Sequence, residues 1–143
     1  MKTNILLPVD GSEQSLRAVE EVISLGERLR ERPELHLLQV HLPIPVGRIQ
    51  AHVSKETLEA YYLEESRAHL AAAEERLKAA GVAFVSHVHV GQPADVIVRE
   101  AAALACSLIV MGTHGRSGVA GLVMGSVASR VVHLAACPVL LVK

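Results

Sequence analysis

The sequence is poor in aromatic residues and has no block of basic residues. Its 143 residues include no Trp, one Phe and two Tyr, and 14 Lys and Arg stand against 15 Asp and Glu. Proteins that bind nucleic acid need a positive surface and, for single strands, aromatic rings on which bases stack. This sequence has neither, so we do not expect nucleic acid to be a main partner.

Cysteine and long apolar runs are scarce as well. Cys106 and Cys137 are far apart and lack CxxC spacing, which excludes the disulfide framework of a small secreted protein and predicts two buried, unreactive thiols. No apolar run is long enough to cross a bilayer, and the apolar stretch after Lys2 is too short for a signal peptide. We therefore expect no membrane contact and a cytoplasmic location.

Half of the 143 residues are hydrophobic, which is enough to form a sizeable hydrophobic core. We therefore expect residues 1–143 to form one domain. Five short apolar runs predict strands at residues 4–9, 35–42, 83–90, 108–111 and 139–142. Helical spacing and end signals between them predict helices at residues 13–32, 54–81, 93–105 and 126–136. Continuous apolar strands that alternate with helices predict a three-layer α/β domain with a parallel sheet covered on both faces.

Two helices carry clear start signals and an apolar stripe. Ser12 and Ser54 are predicted N-caps, because a serine hydroxyl accepts a hydrogen bond from a free amide of the first turn. The stripe of the first helix is predicted at Ala18, Val22, Leu25 and Leu29. That of the second is predicted at Leu63, Ser66, Leu70, Ala73 and Leu77.

Glycine is concentrated in one loop. Five of the ten glycines lie between Gly112 and Ser126, directly after the fourth strand, in a stretch with His114 and Arg116 but no acidic residue. A glycine has no side chain to keep a ligand away from its backbone amide. Such amides, together with the positive end of the helix that begins near Ser126, suit an anion such as phosphate. The alternative is a plain linker in which Ser126 is an ordinary helix cap.

Two common nucleotide motifs are absent. A P-loop requires GxxxxGK[ST], and no lysine lies between Lys78 and Lys143. A dinucleotide fingerprint requires GxGxxG after the first strand, where Gly11 stands alone in Pro8-Val9-Asp10-Gly11-Ser12. Ligands of open parallel sheets bind at the carboxyl ends of strands where the winding reverses, so we expect the turn around Asp10 and the glycine loop to meet there.

The spacing Gly112-x2-Gly115-x9-Gly125-Ser126 resembles the Gx2Gx9G[ST] pattern of the ATP-binding branch of the universal stress protein family. The resemblance extends over the chain, through ILLPVDGS at residues 5–12, IVMG at 109–112 and PVLLV at 138–142. It implies a Rossmann-like fold of the adenine nucleotide α-hydrolase type. Its five-stranded sheet would have the order 3-2-1-4-5, which places Asp10 beside Gly112.

The resemblance also implies a set of binding residues. Those expected at the adenine and ribose are Pro8, Val9, Asp10, Val40, Met111 and Gly112. Those expected around the phosphates are His114, Gly115, Arg116, Gly125, Ser126 and Val127. Ala128 stands where some members of the family carry a hydroxyl, so one phosphate contact is expected to be absent.

The implied function is that of a nucleotide-responsive stress or signalling module. It would bind ATP, with or without Mg²⁺, and form a homodimer through Val139–Val142. An alternative is a slow ATP hydrolase or phosphotransferase that uses Asp10, His114 and Arg116. A structural dimer without nucleotide is a third possibility, against which the intact glycine pattern argues.

His87 and His89 form a further candidate pair. They lie two residues apart on one strand, so their side chains share a face and could bind a metal ion. No third ligand with suitable spacing is evident, and a structural histidine pair is the simpler interpretation.

Overall fold

The computed structural model describes residues 2–45, 53–114 and 124–143. The strands and helices alternate as expected: β1 (Asn4–Pro8), α1 (Glu13–Arg28), β2 (Glu34–His41), α2 (Lys55–Ala79), β3 (Phe84–Val90), α3 (Pro93–Ala103), β4 (Leu108–Gly112), α4 (Ser126–Leu134) and β5 (Val139–Val142). All strands pair in parallel in the order β3-β2-β1-β4-β5. The predicted three-layer α/β fold and its strand order are confirmed.

The starts of the helices follow the local sequence. Ser12 caps α1 by accepting a hydrogen bond from the Ser15 amide at 3.2 Å. Ser54 caps α2 in the same way, with the Thr57 amide at 3.2 Å. Both predicted caps are confirmed, and Pro93 occupies the first turn of α3, where a missing amide hydrogen removes no helical bond.

The ends of the helices differ from the prediction, most of all in α1. The prediction continued α1 to residue 32, but the helix ends at Arg28 and Leu29 adopts extended φ and ψ of −85° and 146°. Leu29 is predicted to belong to the apolar stripe, but it is 38% exposed. Leu29 continues the helical spacing of apolar residues in the sequence, but the helix has already ended there and the chain turns toward β2.

The helices cover the sheet in pairs. On one face α1 and α2 enclose a core with Ile5, Leu7, Leu35, Leu37 and Val110. On the other face α3 and α4 pack against Leu6, Leu38, Ile109 and Met111. Both faces of the central strands are thus buried, which accounts for their continuous apolar sequence.

α2 is the longest helix and mostly polar. Its buried side is formed by Ser66, Leu70, Ala73 and Leu77, as predicted, whereas Leu63 is 40% exposed and was wrongly included in the stripe. Although α2 has 25 residues, neither it nor any other helix of the described ranges is both long and apolar enough to cross a membrane.

The two cysteines are less buried than predicted. Cys106 and Cys137 are both partly exposed and unpaired. Burial nevertheless raises the pKa of Cys106 to about 11 and also raises the pKa of Cys137. Both thiols are therefore protonated at neutral pH, as unreactive cysteines are.

The core assignment predicts the effect of shortening Leu37, which is fully buried in β2. We expect Leu37→Ala to lower the free energy of unfolding by about 2–5 kcal/mol, because it leaves a cavity between the sheet and its helices. Urea denaturation measures this. Val85→Ala on β3 is the control, since Val85 is 48% exposed, and should change the value by less than about 1 kcal/mol. Equal losses in the two variants would contradict the assignment.

Candidate functional site

A crevice opens where β1 and β4 separate. Their pairing includes Ile5 with Leu108 and Leu6 with Ile109, whereas β1 stays paired with β2 as far as Pro8. The Val9 amide donates to Leu38 O of β2 at 2.9 Å. Because successive amides of a strand point to opposite neighbours, the Pro8 nitrogen faces β4, and proline has no hydrogen to donate there. The two strands therefore part at their carboxyl ends.

A cavity of about 870 Å³ occupies this edge of the sheet, next to the first turn of α4. The structure brings together around it every predicted site residue that it describes: Pro8, Val9, Asp10, Val40, Met111, Gly112, His114, Gly125, Ser126 and Val127. Ala128 lines it as well. The other two predicted residues, Gly115 and Arg116, lie outside the described residues. Residues predicted from four separate segments thus share one cavity.

The turn after β1 holds the Asp10 carboxylate in place. Asp10 Oδ1 accepts hydrogen bonds from the Ser12 amide at 2.9 Å and from the Ser15 hydroxyl at 3.1 Å. Gly11 makes the turn possible with φ of +81°, a value that residues with a Cβ rarely adopt. Asp10 is therefore oriented by the protein before any ligand arrives.

Gln14 of α1 fastens the start of the glycine loop. Its Oε1 accepts hydrogen bonds from the His114 amide at 3.0 Å and from the Thr113 hydroxyl at 3.3 Å. Gly112 passes so close to α1 that a Cβ atom there would lie 3.2 Å from the Gln14 carbonyl oxygen. The sequence reasoning missed Gln14, because nothing in an ordinary helical glutamine indicates that β4 ends against it.

The beginning of α4 faces the cavity without a side-chain cap. Gly125 is the N-cap, and no side chain caps the helix by a hydrogen bond. The interpretation of Ser126 as an ordinary cap is therefore wrong. Ser126 is instead the first helical residue, and Ser126, Val127 and Ala128 all line the cavity. The first amides of a helix have no acceptor within it and carry the positive end of its dipole. This end of the cavity therefore suits an anion.

A polar wall closes the opposite side of the cavity. Gln39 Nε2 of β2 donates a hydrogen bond to His69 Nδ1 of α2 at 3.2 Å, and His41 Nε2 lies 3.2 Å from Glu65 Oε2. A hydrogen bond from the Tyr61 hydroxyl, followed by one from His41, lowers the pKa of Glu65, so its carboxylate is ionised at neutral pH. Gln39, His41, Glu65 and His69 all line the cavity.

The sequence reasoning missed this polar wall, although one signal was present. Gln39 is a polar residue within the mostly apolar run 35–42, which also contains two histidines, and it is only 3% exposed. A buried polar side chain in a central strand indicates a specific partner. Glu65 and His69 gave no such signal, because their contact with the cavity depends on how α2 packs on the sheet.

The candidate histidine pair is engaged elsewhere. His87 Nε2 lies 2.9 Å from His36 Nδ1, and His89 Nε2 lies 3.3 Å from Glu100 Oε2. Burial, and then the neighbouring His36, lowers the pKa of His87. Within the ranges 2–45, 53–114 and 124–143, no three His, Cys, Asp or Glu residues are grouped as metal ligands.

Comparison with known proteins gives one consistent result. The model of the Universal stress protein family matches residues 1–143. A universal stress protein of Methanocaldococcus jannaschii, MJ0531, is 34% identical over 139 residues, which cover 97% of this chain and 81% of that protein.

Solved structures share the fold over nearly the full length. That of the protein MJ0577 has a TM-score of 0.84 at 26% identity and covers 100% of this chain and 96% of its own. A universal stress protein in complex with cAMP has a TM-score of 0.69 at 27% identity, with coverages of 99% and 96%. One from Archaeoglobus fulgidus in complex with dAMP has a TM-score of 0.64 at 25% identity, with coverages of 100% and 98%.

The polar wall yields a testable prediction for Tyr61→Phe. Without the Tyr61 hydroxyl, the pKa of Glu65 should rise toward its ordinary value, because the hydrogen bond that favours the carboxylate is lost. The lowered pKa contributes stability at neutral pH that disappears as the pH falls through it, and the variant should lose part of this contribution. NMR titration of the Glu65 side-chain carboxyl measures the pKa.

Tyr62→Phe is the matched control for this titration, because the adjacent tyrosine makes no hydrogen bond that lowers the pKa of Glu65. The pKa of Glu65 should be the same in this variant as in the unaltered protein. A value that rises equally in both variants would contradict the role of the Tyr61 hydroxyl.

Proposed function

This chain belongs to the universal stress protein family, and we propose that it binds ATP in the cavity and acts in the cytoplasm as a nucleotide-responsive stress or signalling module. The observation that carries the proposal is the meeting of the Asp10 turn, Val40 and the uncapped start of α4 around one cavity. The free thiols Cys106 and Cys137 fit a reducing compartment.

The nucleoside would occupy the part of the cavity between β1, β2 and β4. Pro8, Val9, Val40 and Met111 offer apolar walls for a flat base. Asp10 stands at the same edge with its carboxylate already oriented, so it is the candidate acceptor for the ribose hydroxyls. Relatives solved with cAMP and dAMP support an adenine nucleotide as the ligand class.

The phosphates would lie against the start of α4. Gly125, Ser126 and Val127 border this end, where helix amides and the Ser126 hydroxyl are available as donors. His114 lines the same region, and Gly115 and Arg116 of the glycine pattern follow it in the chain. Ala128 has no hydroxyl, so we expect the helix amides to donate most of the hydrogen bonds to the phosphates.

Binding is favoured over turnover by the places we assign to the two carboxylates at the cavity. A hydrolase or phosphotransferase would need a carboxylate to hold Mg²⁺ at the phosphates, whereas we assign Asp10 to the ribose, and Glu65 lies beside His41. Mg²⁺ would therefore be held mainly by the phosphates and water, as this ion commonly is. It would neutralise phosphate charge while the chain positions the nucleotide.

Gly125→Val tests the phosphate end. The added side chain would stand at the N-cap of α4, where we place the phosphates, so ATP affinity measured by calorimetry with Mg²⁺ should fall at least about tenfold. Gly26→Val is the control, because a Cβ at Gly26 would meet only Pro33 Cδ, at 3.9 Å, and lies far from the cavity in α1.

Unchanged ATP affinity in Gly125→Val, with the fold intact by circular dichroism, would refute the phosphate site. The titration is repeated with AMP and cAMP. Tighter binding of either of these than of ATP would replace ATP by that nucleotide as the proposed ligand.

We also propose a homodimer formed through β5. Among the described strands β5 pairs with β4 alone, so its outer edge offers unpaired backbone groups. Unprotected apolar edges tend to pair with another strand, and Leu140 on this edge strand is 36% exposed. Two copies of the chain could pair these edges about a twofold axis.

Leu140→Lys tests the dimer. Leu140 belongs to neither core cluster, unlike Leu141, which packs against the α3–α4 core, so the substitution alters the edge and spares the interior. Gel filtration should show a shift from dimer to monomer, because two lysines would face each other across the interface. Val85→Lys on the opposite edge strand β3 is the control and should leave the dimer intact. A dimer that persists in Leu140→Lys would overturn the proposal.

A further inference from the structure

Three side chains at the end of β4 form a short hydrogen-bonded network. Gln14 Oε1 of α1 accepts from the His114 amide at 3.0 Å and lies 3.3 Å from the Thr113 hydroxyl oxygen. The same hydroxyl oxygen lies 3.0 Å from His114 Nδ1. Thr113 is 8% exposed, and His114 lines the cavity. The network therefore leads from α1 through a buried hydroxyl to an imidazole ring at the cavity.

The protons of this network can be assigned, because a backbone amide can only donate. The Gln14 atom that meets the His114 amide must be the oxygen, so the Thr113 hydroxyl, which meets the same oxygen, must donate to it. A hydroxyl has one hydrogen, so its oxygen is the acceptor toward His114, and Nδ1 carries a proton. In the neutral ring, Nε2 is then an acceptor.

The backbone holds this ring near the start of α4. Thr113 O accepts from the Gly125 amide at 2.6 Å, and the Thr113 amide donates to Val142 O at 3.1 Å. Gly125 is the N-cap of α4, where we place the phosphates, and it lines the same cavity as His114. A phosphate bound there would lie close to the His114 ring.

A phosphate at this place favours the charged form of the ring. Ionised phosphate oxygens are acceptors, and a neutral ring with its proton on Nδ1 has only a second acceptor to set against them. Uptake of another proton makes Nε2 a donor and adds positive charge, while the contact between Nδ1 and Thr113 is retained. The ring can therefore gain this proton without any rearrangement of the network.

We propose that His114 takes up a proton when the nucleotide phosphates bind, so that nucleotide affinity rises as the pH falls through the range in which histidine titrates. This inference rests on the proposed nucleotide function. A binding step that takes up a proton is strengthened at lower pH, because more of the ring is already charged when the ligand arrives. Gln14 and Thr113 act as positioning residues, since they keep the first ring proton on Nδ1.

Other ionisable groups lie around the cavity. Those that line it are on β2, on α2 and in the turn after β1: His41, Glu65, His69 and Asp10. Lys143 follows Val142 at the end of β5, and Arg116 lies outside the described residues. The lining residues of α4 carry no charge, and α1 meets the ring through the neutral Gln14. A substitution of His114 alone is therefore needed to assign the proton.

Calorimetric titration with ATP and Mg²⁺ in two buffers of different ionisation enthalpy measures the protons taken up on binding. His114→Asn keeps a donor near the position of Nδ1 but does not titrate, so it should take up fewer protons than the unaltered chain, by about half a proton or more. Between about pH 8 and about pH 6 the affinity of the unaltered chain should rise about tenfold more than that of the variant. Because ATP itself titrates equally in both experiments, the difference belongs to His114.

His133→Asn is the matched control, because His133 stands in the last turn of α4 and does not line the cavity. It should retain the proton uptake of the unaltered chain. Thr113→Val removes the hydroxyl that keeps the proton on Nδ1, so the neutral ring can carry its proton on Nε2 and the uptake should fall. Undiminished uptake in Thr113→Val would refute the assignment of the Nδ1 proton, and the inference with it.

If His114→Asn binds ATP with the proton uptake of the unaltered chain, another group gains the proton and the inference is overturned. Equal weakening of ATP binding at every pH would show that His114 acts as a neutral group, and this result also overturns the inference. The failure of the proposed function would look different, because the unaltered chain itself would then bind no nucleotide at any pH.

Discussion

The parting of β1 and β4 beyond Leu6 is the constraint on which the site depends. Pro8 turns a nitrogen without hydrogen toward β4, while the next amide, that of Val9, stays bound to β2. The gap lies where the sheet reverses its winding, so the turns that follow β1 and β4 flank it from both sides. Pro8 cannot donate a hydrogen bond that would extend the pairing of β1 with β4, so the sequence at this point is compatible with the opening that the topology creates.

The strands and the helix starts could be predicted because their causes are local. An apolar run such as residues 35–42 must be buried, and a serine such as Ser54 can cap the helix after it wherever the helix lies. The ends of the helices are harder to predict. α1 ends where the chain turns toward β2, although Leu29 continues the helical spacing of apolar residues past that point. The strand order came from the family resemblance and could not be obtained from periodicity.

The residues of the site also fall into those that the sequence predicts and those that only tertiary packing reveals. Residues at strand ends and at the start of α4 belong to motifs, and the structure gathers the described ones around one cavity. Gln14, Glu65 and His69 reach it from the sides of two helices, and their role depends on tertiary packing that no local pattern encodes. Gln39 stands between these cases, because its polarity inside a buried strand was visible in the sequence while its partner was not.

One backbone hydrogen bond has a consequence for how this family member can vary. The Gly125 amide donates to the Thr113 carbonyl, and the Thr113 amide donates to Val142 O of β5 at 3.1 Å. The chain that leaves β4 is thereby joined to the start of α4 independently of residues 114–124. Closing a longer segment between fixed ends adds only about 0.6 kcal/mol for each doubling of its length. A change of length between these anchors would therefore cost the fold little free energy, but it would alter the spacing between Gly115 and Gly125 on which the proposed phosphate contacts depend.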